Sequence, residues 1–255
     1  MIVMHRLRIV ALAGLVFLLG MSGTASAQKK KVAEANEEQA AAQKGQDIKD
    51  LVLAYQLRDL GRKNKAPEAL ITAASLFRKV SRVPMTAIEQ KPEIEVANDS
   101  QAAPLDQVLA PPDYAKEADA LFDEALALGA SLKLNLDPLI HHAKNRTVYR
   151  SPATGPQHVT RMIGGGQTQA FRFKLIANQP THFGFRATVP MRITVVQANN
   201  EAVWVDSFIA VGHTTWYPAH HVSPKAAKKG PPSVPIAIRI SNIAQPPAQF
   251  QFWLN

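Results

Sequence analysis

The sequence predicts an α+β protein: an N-terminal region of helical hairpins followed by an antiparallel β-sandwich of jelly-roll type. Two observations carry this. Apolar residues recur every three or four positions up to about residue 145, then alternate singly from about Val148 onward; these are the periods of helix and strand. Turn-forming clusters then divide the second half into roughly seven short apolar runs: Gly164-Gly165-Gly166, Asn178-Gln179-Pro180, Asn199-Asn200 and Gly230-Pro231-Pro232. Short strands at such regular spacing are the pattern of a sandwich.

The chain opens on what reads as a cleavable export signal, residues 1–27. Met1 to Arg8 is basic, Ile9 to Met21 apolar, and Ser22 to Ala27 ends in Ala25-Ser26-Ala27. The apolar run is too short to span a hydrocarbon core of about 30 Å, and the small-x-small ending suits a signal peptidase. Cleavage after Ala27 leaves 228 residues without cysteine, so disulfides and thiolate metal sites are excluded. No later stretch is apolar for the roughly 20 residues of a spanning helix. The expected location is the periplasm, with secretion as the alternative.

Residues 28–46 are rich in Lys, Glu, Ala and Gln and read as a flexible leader, because they offer too little apolar surface to offset ordering entropy. In the helical region, 47–145, the first helix is expected over Asp47–Lys63, with Ile48, Leu51, Val52 and Tyr55 on one face. The second is expected over Pro67–Val80, with Leu70, Ala73, Ala74 and Phe77; Pro67 suits a first turn. The short link makes the two antiparallel. Val83–Pro112 carries five prolines and reads as a long connection with one short helix near Leu105–Leu109. Pro112–Ala130 is the third helix and Leu136–Lys144 the fourth.

In the sandwich, 146–255, Phe171, Phe173 and Leu175 alternate with Arg172 and Lys174. Phe183, Phe185 and Ala187 alternate with His182, Gly184 and Arg186. Ile193 and Val195, Val203 and Val205, then Val234, Ile236, Ile238 and Ile240 follow, and Phe250, Phe252 and Leu254 close the chain. The runs GGGQTQAFRFKLIANQPTHFGFRA, RITVVQANNEAVWVDS, TTWYP and PIAIRISNIAQPPAQFQFWLN stand in this order from Gly164 to Asn255. In spacing and residue class they resemble the bacterial pre-peptidase C-terminal domain. That family implies a small jelly-roll-like sandwich in exported proteins or appended to secreted enzymes. Its members often carry acidic residues in the central strands, some thought to hold calcium. Here that stretch is Pro190-Met191-Arg192-Ile193-Thr194, and a hard cation needs several oxygen ligands, so calcium is not carried over.

The formal charge of +9 is unevenly spread. Gln28–Ala130 holds 14 basic against 17 acidic residues, whereas Ser131–Asn255 holds 13 against only Asp137, Glu201 and Asp206. Such a surface favours an anionic partner such as an envelope polymer or the acidic face of a protein. No nucleic-acid motif accompanies it. Arg172, Lys174, Arg186 and Arg192, with Trp216 and Tyr217, are the candidate ligand-binding residues. No metal site or cofactor is expected: His141, His142, His158, His182, His213, His220 and His221 lack ligand spacing on a helix. Gly164-Gly165-Gly166 lacks the Lys-Ser/Thr of a phosphate loop, and no Gly-x-Ser-x-Gly marks a nucleophile. Acids in the sandwich are too few for a glycosidase pair.

The expected function is therefore that of an exported, non-enzymatic binding or interaction protein of the cell envelope. The alternatives are an envelope hydrolase using His213, His220 and Asp206 with catalytic residues otherwise unknown, or an assembly factor docking a partner protein through its helices.

Overall fold

Helix α1 runs over residues 45–64, and its periodic residues Ile48, Leu51, Val52 and Tyr55 are all buried. The computed structural model describes residues 45–83, 85–96, 105–145, 155–177, 179–197, 202–216, 233–244 and 246–255. The expected signal, the leader up to residue 44 and the turns at Asn199-Asn200 and Gly230-Pro231-Pro232 lie outside them.

Lys65, in the left-handed region at φ 52°, turns the chain into α2 (Pro67–Val80). Pro67 sits in its first turn with Glu68, and Arg78 and Lys79 sit in its last, charges that complement the helix dipole. An ion pair from Lys79 to Asp50 joins the end of α2 to the start of α1, so the pair is antiparallel as expected. Helix α3 (Tyr114–Ser131) is capped by Asp113, whose carboxylate accepts from the Lys116 amide at 3.0 Å. Helix α4 (Asp137–Asn145) follows. Leu70, Ala73, Ala74 and Phe77 of α2 bury against Ala118, Leu121, Phe122 and Ala125 of α3, the small alanines letting the two axes approach closely. Arg58–Glu117 at 2.7 Å, Arg62–Glu124 at 2.8 Å and Arg78–Asp119 at 3.2 Å stitch the rim of this layer.

Three short strands arise from the segment read as a connection: β1 (Thr86–Ala87), β2 (Glu93–Val96) and β3 (Gln107–Val108). The short helix expected near Leu105–Leu109 is not formed. That backbone is claimed by the sheet: the Leu105 amide donates to Gln167 Oε1 at 3.1 Å, and its carbonyl accepts from Gln169 Nε2 at 3.1 Å. The Leu109 amide donates to the Thr160 carbonyl at 2.9 Å, and Asp106 pairs with Arg161. Partners across the sheet outweigh the weak local propensity.

The remaining strands are β4 (Gln157–Ile163), β5 (Gln167–Ile176), β6 (Thr181–Gln197), β7 (Ala202–Trp216), β8 (Ser233–Ser241) and β9 (Ala248–Leu254). Among the described residues they order as β1-β4-β9-β6-β8-β5-β2, with β3 beside β4 and β7 beside β6. Every pairing is antiparallel except β1 with β4. Strand β6, 17 residues long, carries the architecture. Phe183–Ala187 pair with β9, and Arg192–Gln197 pair with β8. Between them the register with β7 slips from Arg186 to Met191, across Pro190, which has no amide to give a ladder. The sheet thus curls into two facing layers. Phe171, Phe183, Phe185, Phe250 and Phe252 fill the space between them with Ile193, Val195, Ile236, Ile238 and Ile240. The fold is α+β with a β-sandwich-like part.

The helices cover the outer side of the first layer. Trp253 alternates away from Phe250 and Phe252, yet it is 1% exposed because it belongs to the helical core. Its ring stacks on Tyr55 at 6.0 Å, and the Tyr55 hydroxyl donates to Gln251 Oε1 at 3.1 Å. Gly184 on β6 makes this docking possible. A Cβ there would stand 2.6 Å from Ile48 Cγ2 and 3.1 Å from Trp253 Cε3.

Candidate ligand-binding groove

On the outer side of the second layer, β5 and β8 set each cation opposite a small or cyclic residue: Ala170 with Arg239, Arg172 with Ala237, and Lys174 with Pro235. Cross-strand neighbours lie about 4.5–5.5 Å apart, so every long basic chain borders a gap. The result is a groove of about 630 Å³ lined by these residues together with Phe173, Val196, Gln197 and Ile236.

Two of its three cations are held by β2, which pairs with β5. Arg172 grips Glu93 with both sides of its fork, Nε to Oε1 at 2.9 Å and Nη2 to Oε2 at 3.0 Å. Arg239 Nη2 donates to Glu95 Oε1 at 3.3 Å. Hydrogen bonds and charge from Arg172 hold the Glu93 carboxyl below its ordinary range, and Glu93 raises Arg172 in turn. Lys174 is exposed and forms no ion pair with a described residue. Glu93, Glu95 and Asp106 belong to the acidic part of the chain, yet they pair with Arg172, Arg239 and Arg161 of the basic part. The basic surface expected from the charge split is therefore partly neutralised within the molecule.

Of the sequence candidates, Arg172 and Lys174 line the groove. Arg192 is exposed on β6 opposite Ser241, outside the groove lining. Arg186 lies elsewhere: its guanidinium sits 4.0 Å from the centre of the Tyr55 ring, at the helix–sheet junction. Trp216 packs against the sandwich core, and Tyr217 lies outside the described residues. Arg239, Pro235 and Val196 went unnoticed in the sequence. The signal for Pro235 and Arg239 is the second phase of β8, where Pro235, Ala237 and Arg239 alternate with the isoleucines, whereas Val196 joins them only through the β6–β8 pairing.

The residues of the hydrolase alternative do not meet. Asp206 lies opposite Ile193 and His213 opposite Gly184, some 23 Å apart along β7 at about 3.3 Å per residue, and His220 is outside the described residues. At the turn Gly164–Gly166, the Gly164 amide donates to Gln167 Oε1 at 3.1 Å and the Gly166 amide to the Asn242 carbonyl at 2.9 Å, so both are spent within the fold. Among the described residues no helix is long and apolar enough to cross a membrane.

His213 instead faces His182, ring centres 5.6 Å apart. Burial, then His182, then Lys49 depress His213 from 6.5 to about 4, and burial and Lys49 lower His182. A histidine depressed on folding stabilises the fold above its unfolded value near 6.5, and that contribution is lost as pH falls through 4. We expect stability to fall by about 1–2 kcal/mol between pH 6.5 and 4.5 from His213, discounted for its partly exposed ring. Urea titrations at several pH values should show a shallower slope in His213→Gln; an unchanged slope would place the acid sensitivity elsewhere.

The fold and groove together define an α+β protein with a cationic cleft on a β-sandwich-like sheet. No protein-family model matches the chain, and no curated protein matches it. Among solved structures, it is similar to a protein described under "CBM4 structure and function", with 8% identity and a TM-score of 0.25 over 37% of this chain and 66% of that one. A de novo designed double-stranded β-helix matches with 10% identity and a TM-score of 0.24, over 38% and 97% of the two chains. A family GH115 4-O-methyl-α-glucuronidase matches with 12% identity and a TM-score of 0.27, over 55% and 25%. The chain thus spans just under two thirds of the first and a quarter of the third. These likenesses are too distant to carry a function across.

Proposed function

We propose that this chain is an exported binding protein of the cell envelope, its sandwich of the pre-peptidase C-terminal type, which captures an acidic polysaccharide in the groove over β5, β8 and β6. The observation that carries the reading is the state of the three cations. Arg172 and Arg239 are oriented by β2 carboxylates, whereas Lys174 stands uncommitted beside them. Ala170, Ala237, Pro235 and Val196 supply an apolar floor, against which the faces of sugar rings can pack while Lys174 meets a carboxylate. With two of its three cations already balanced, the groove suits a sparsely charged chain in place of a dense polyanion.

The test is calorimetric titration of the full chain with oligogalacturonate and with a neutral oligosaccharide of equal length, over a salt series. Lys174→Ala should weaken acidic-oligosaccharide binding about five- to tenfold, the loss of roughly 1–1.4 kcal/mol for an exposed charge-assisted contact. Binding should also weaken as salt rises. Equal affinity for the neutral oligosaccharide, or an unaffected Lys174→Ala, would reject the assignment.

A further inference from the structure

Away from the groove, β6 and β7 bring two imidazoles together on a diagonal of the ladder, where His182 lies opposite Thr215 and Gly184 opposite His213. His182 Nδ1 and His213 Nε2 are 3.4 Å apart. That is long for a hydrogen bond from nitrogen, which centres near 2.9–3.0 Å. It equals the separation of two nitrogens bound to one tetrahedral zinc ion, about 3.3–3.4 Å for bonds of 2.0–2.1 Å. A square-planar copper(II) site would bring them to about 2.9 Å.

The surroundings fix this pair. The His182 amide donates to Asn255 Oδ1 at 2.6 Å. The first described turn of α1 lies so close that a Cβ on Gly45 would fall 2.2 Å from the His182 ring. Thr215 Oγ1 contacts His182 Nδ1 at 2.9 Å, and that contact must yield to a metal. Lys49 of α1 is the cation whose charge reaches both rings. Among the described residues no third His, Cys, Asp or Glu completes a set.

We propose that His182 and His213 form a two-imidazole site for a tetrahedral divalent cation of the zinc class, with water in the remaining positions. Two protein ligands make it an exchangeable site, weaker than structural zinc centres with four. It pins β6 to β7 beside the start of α1.

The experiment uses the untagged full chain labelled with ¹⁵N-histidine and titrated with zinc chloride at pH 7.5. Long-range ¹H–¹⁵N spectra should show the Nδ1 of His182 and the Nε2 of His213 moving together, with the ring nitrogens of the exposed His142 unmoved. By calorimetry, His213→Gln should weaken zinc binding at least tenfold, and His142→Ala should leave it unchanged. Lys49→Ala should tighten it about two- to fivefold, because a nearby positive charge is removed. The proposal is overturned if neither ring nitrogen shifts at millimolar zinc, or if folded His213→Gln binds as the parent does. Should His213→Gln fail to fold, the spectra of the parent protein decide alone.

Discussion

Replacing Trp253 by Ala is expected to cost about 3–5 kcal/mol, the range for deleting a large buried aromatic. The indole is 1% exposed, stacks on Tyr55 and lies against Gly184; its removal opens a void where the helices meet the first layer. The Tyr55 hydroxyl, pushed far above its ordinary value chiefly by burial, would lose the cover that keeps its bond to Gln251 dry. Domains of this size hold only about 5–15 kcal/mol in total, so the loss should be plain in a urea titration read by circular dichroism. Trp253→Phe keeps much of the apolar volume and should lose less than half as much. Similar midpoints for Trp253→Ala and the parent would show that the helices do not lean on this ring.

The second large effect runs against strand propensity. Gly184→Val puts a favoured strand former into a long strand, and propensity alone would call it stabilising. The structure predicts a loss of about 3 kcal/mol, because the new Cβ would stand 2.6 Å from Ile48 Cγ2 and 3.1 Å from the indole, and overpacking of this kind costs about 1–3 kcal/mol or more. Helix α1 must then lift or β6 must bend. Combining the change with Ile48→Ala removes the nearer obstacle and should recover at least 1 kcal/mol relative to the sum of the single losses, as a double-mutant cycle would measure. Additive losses would place the α1–β6 contact elsewhere.

These two positions also show what could be read from the chain before its fold was known. Helical periodicity located Ile48, Leu51, Val52 and Tyr55, and the Pro67–Val80 helix emerged with the bounds the spacing implies. Strand alternation sorted Phe250 and Phe252 from Trp253 but could not say that the outward side would be covered. That depends on which helix lies over which strand, a long-range fact with no local signal. The same limit applies to the groove. Arg172 and Lys174 were visible as outward cations, whereas Arg239 needed the β5–β8 register, and the pairing of Glu93 and Glu95 needed the return of β2 to the sheet edge. Counting charge along the chain separated residues that the fold reunites.

Strand β6 lends one edge first to β9 and then to β8 while β7 runs along the other. The two layers therefore share a spine and have no independent existence. Neither can be excised as a smaller module, and a cut between Ala187 and Met191 would divide the one strand that belongs to both. Strain applied at β5 and β8 therefore reaches the aromatic residues beneath the helices through one continuous backbone.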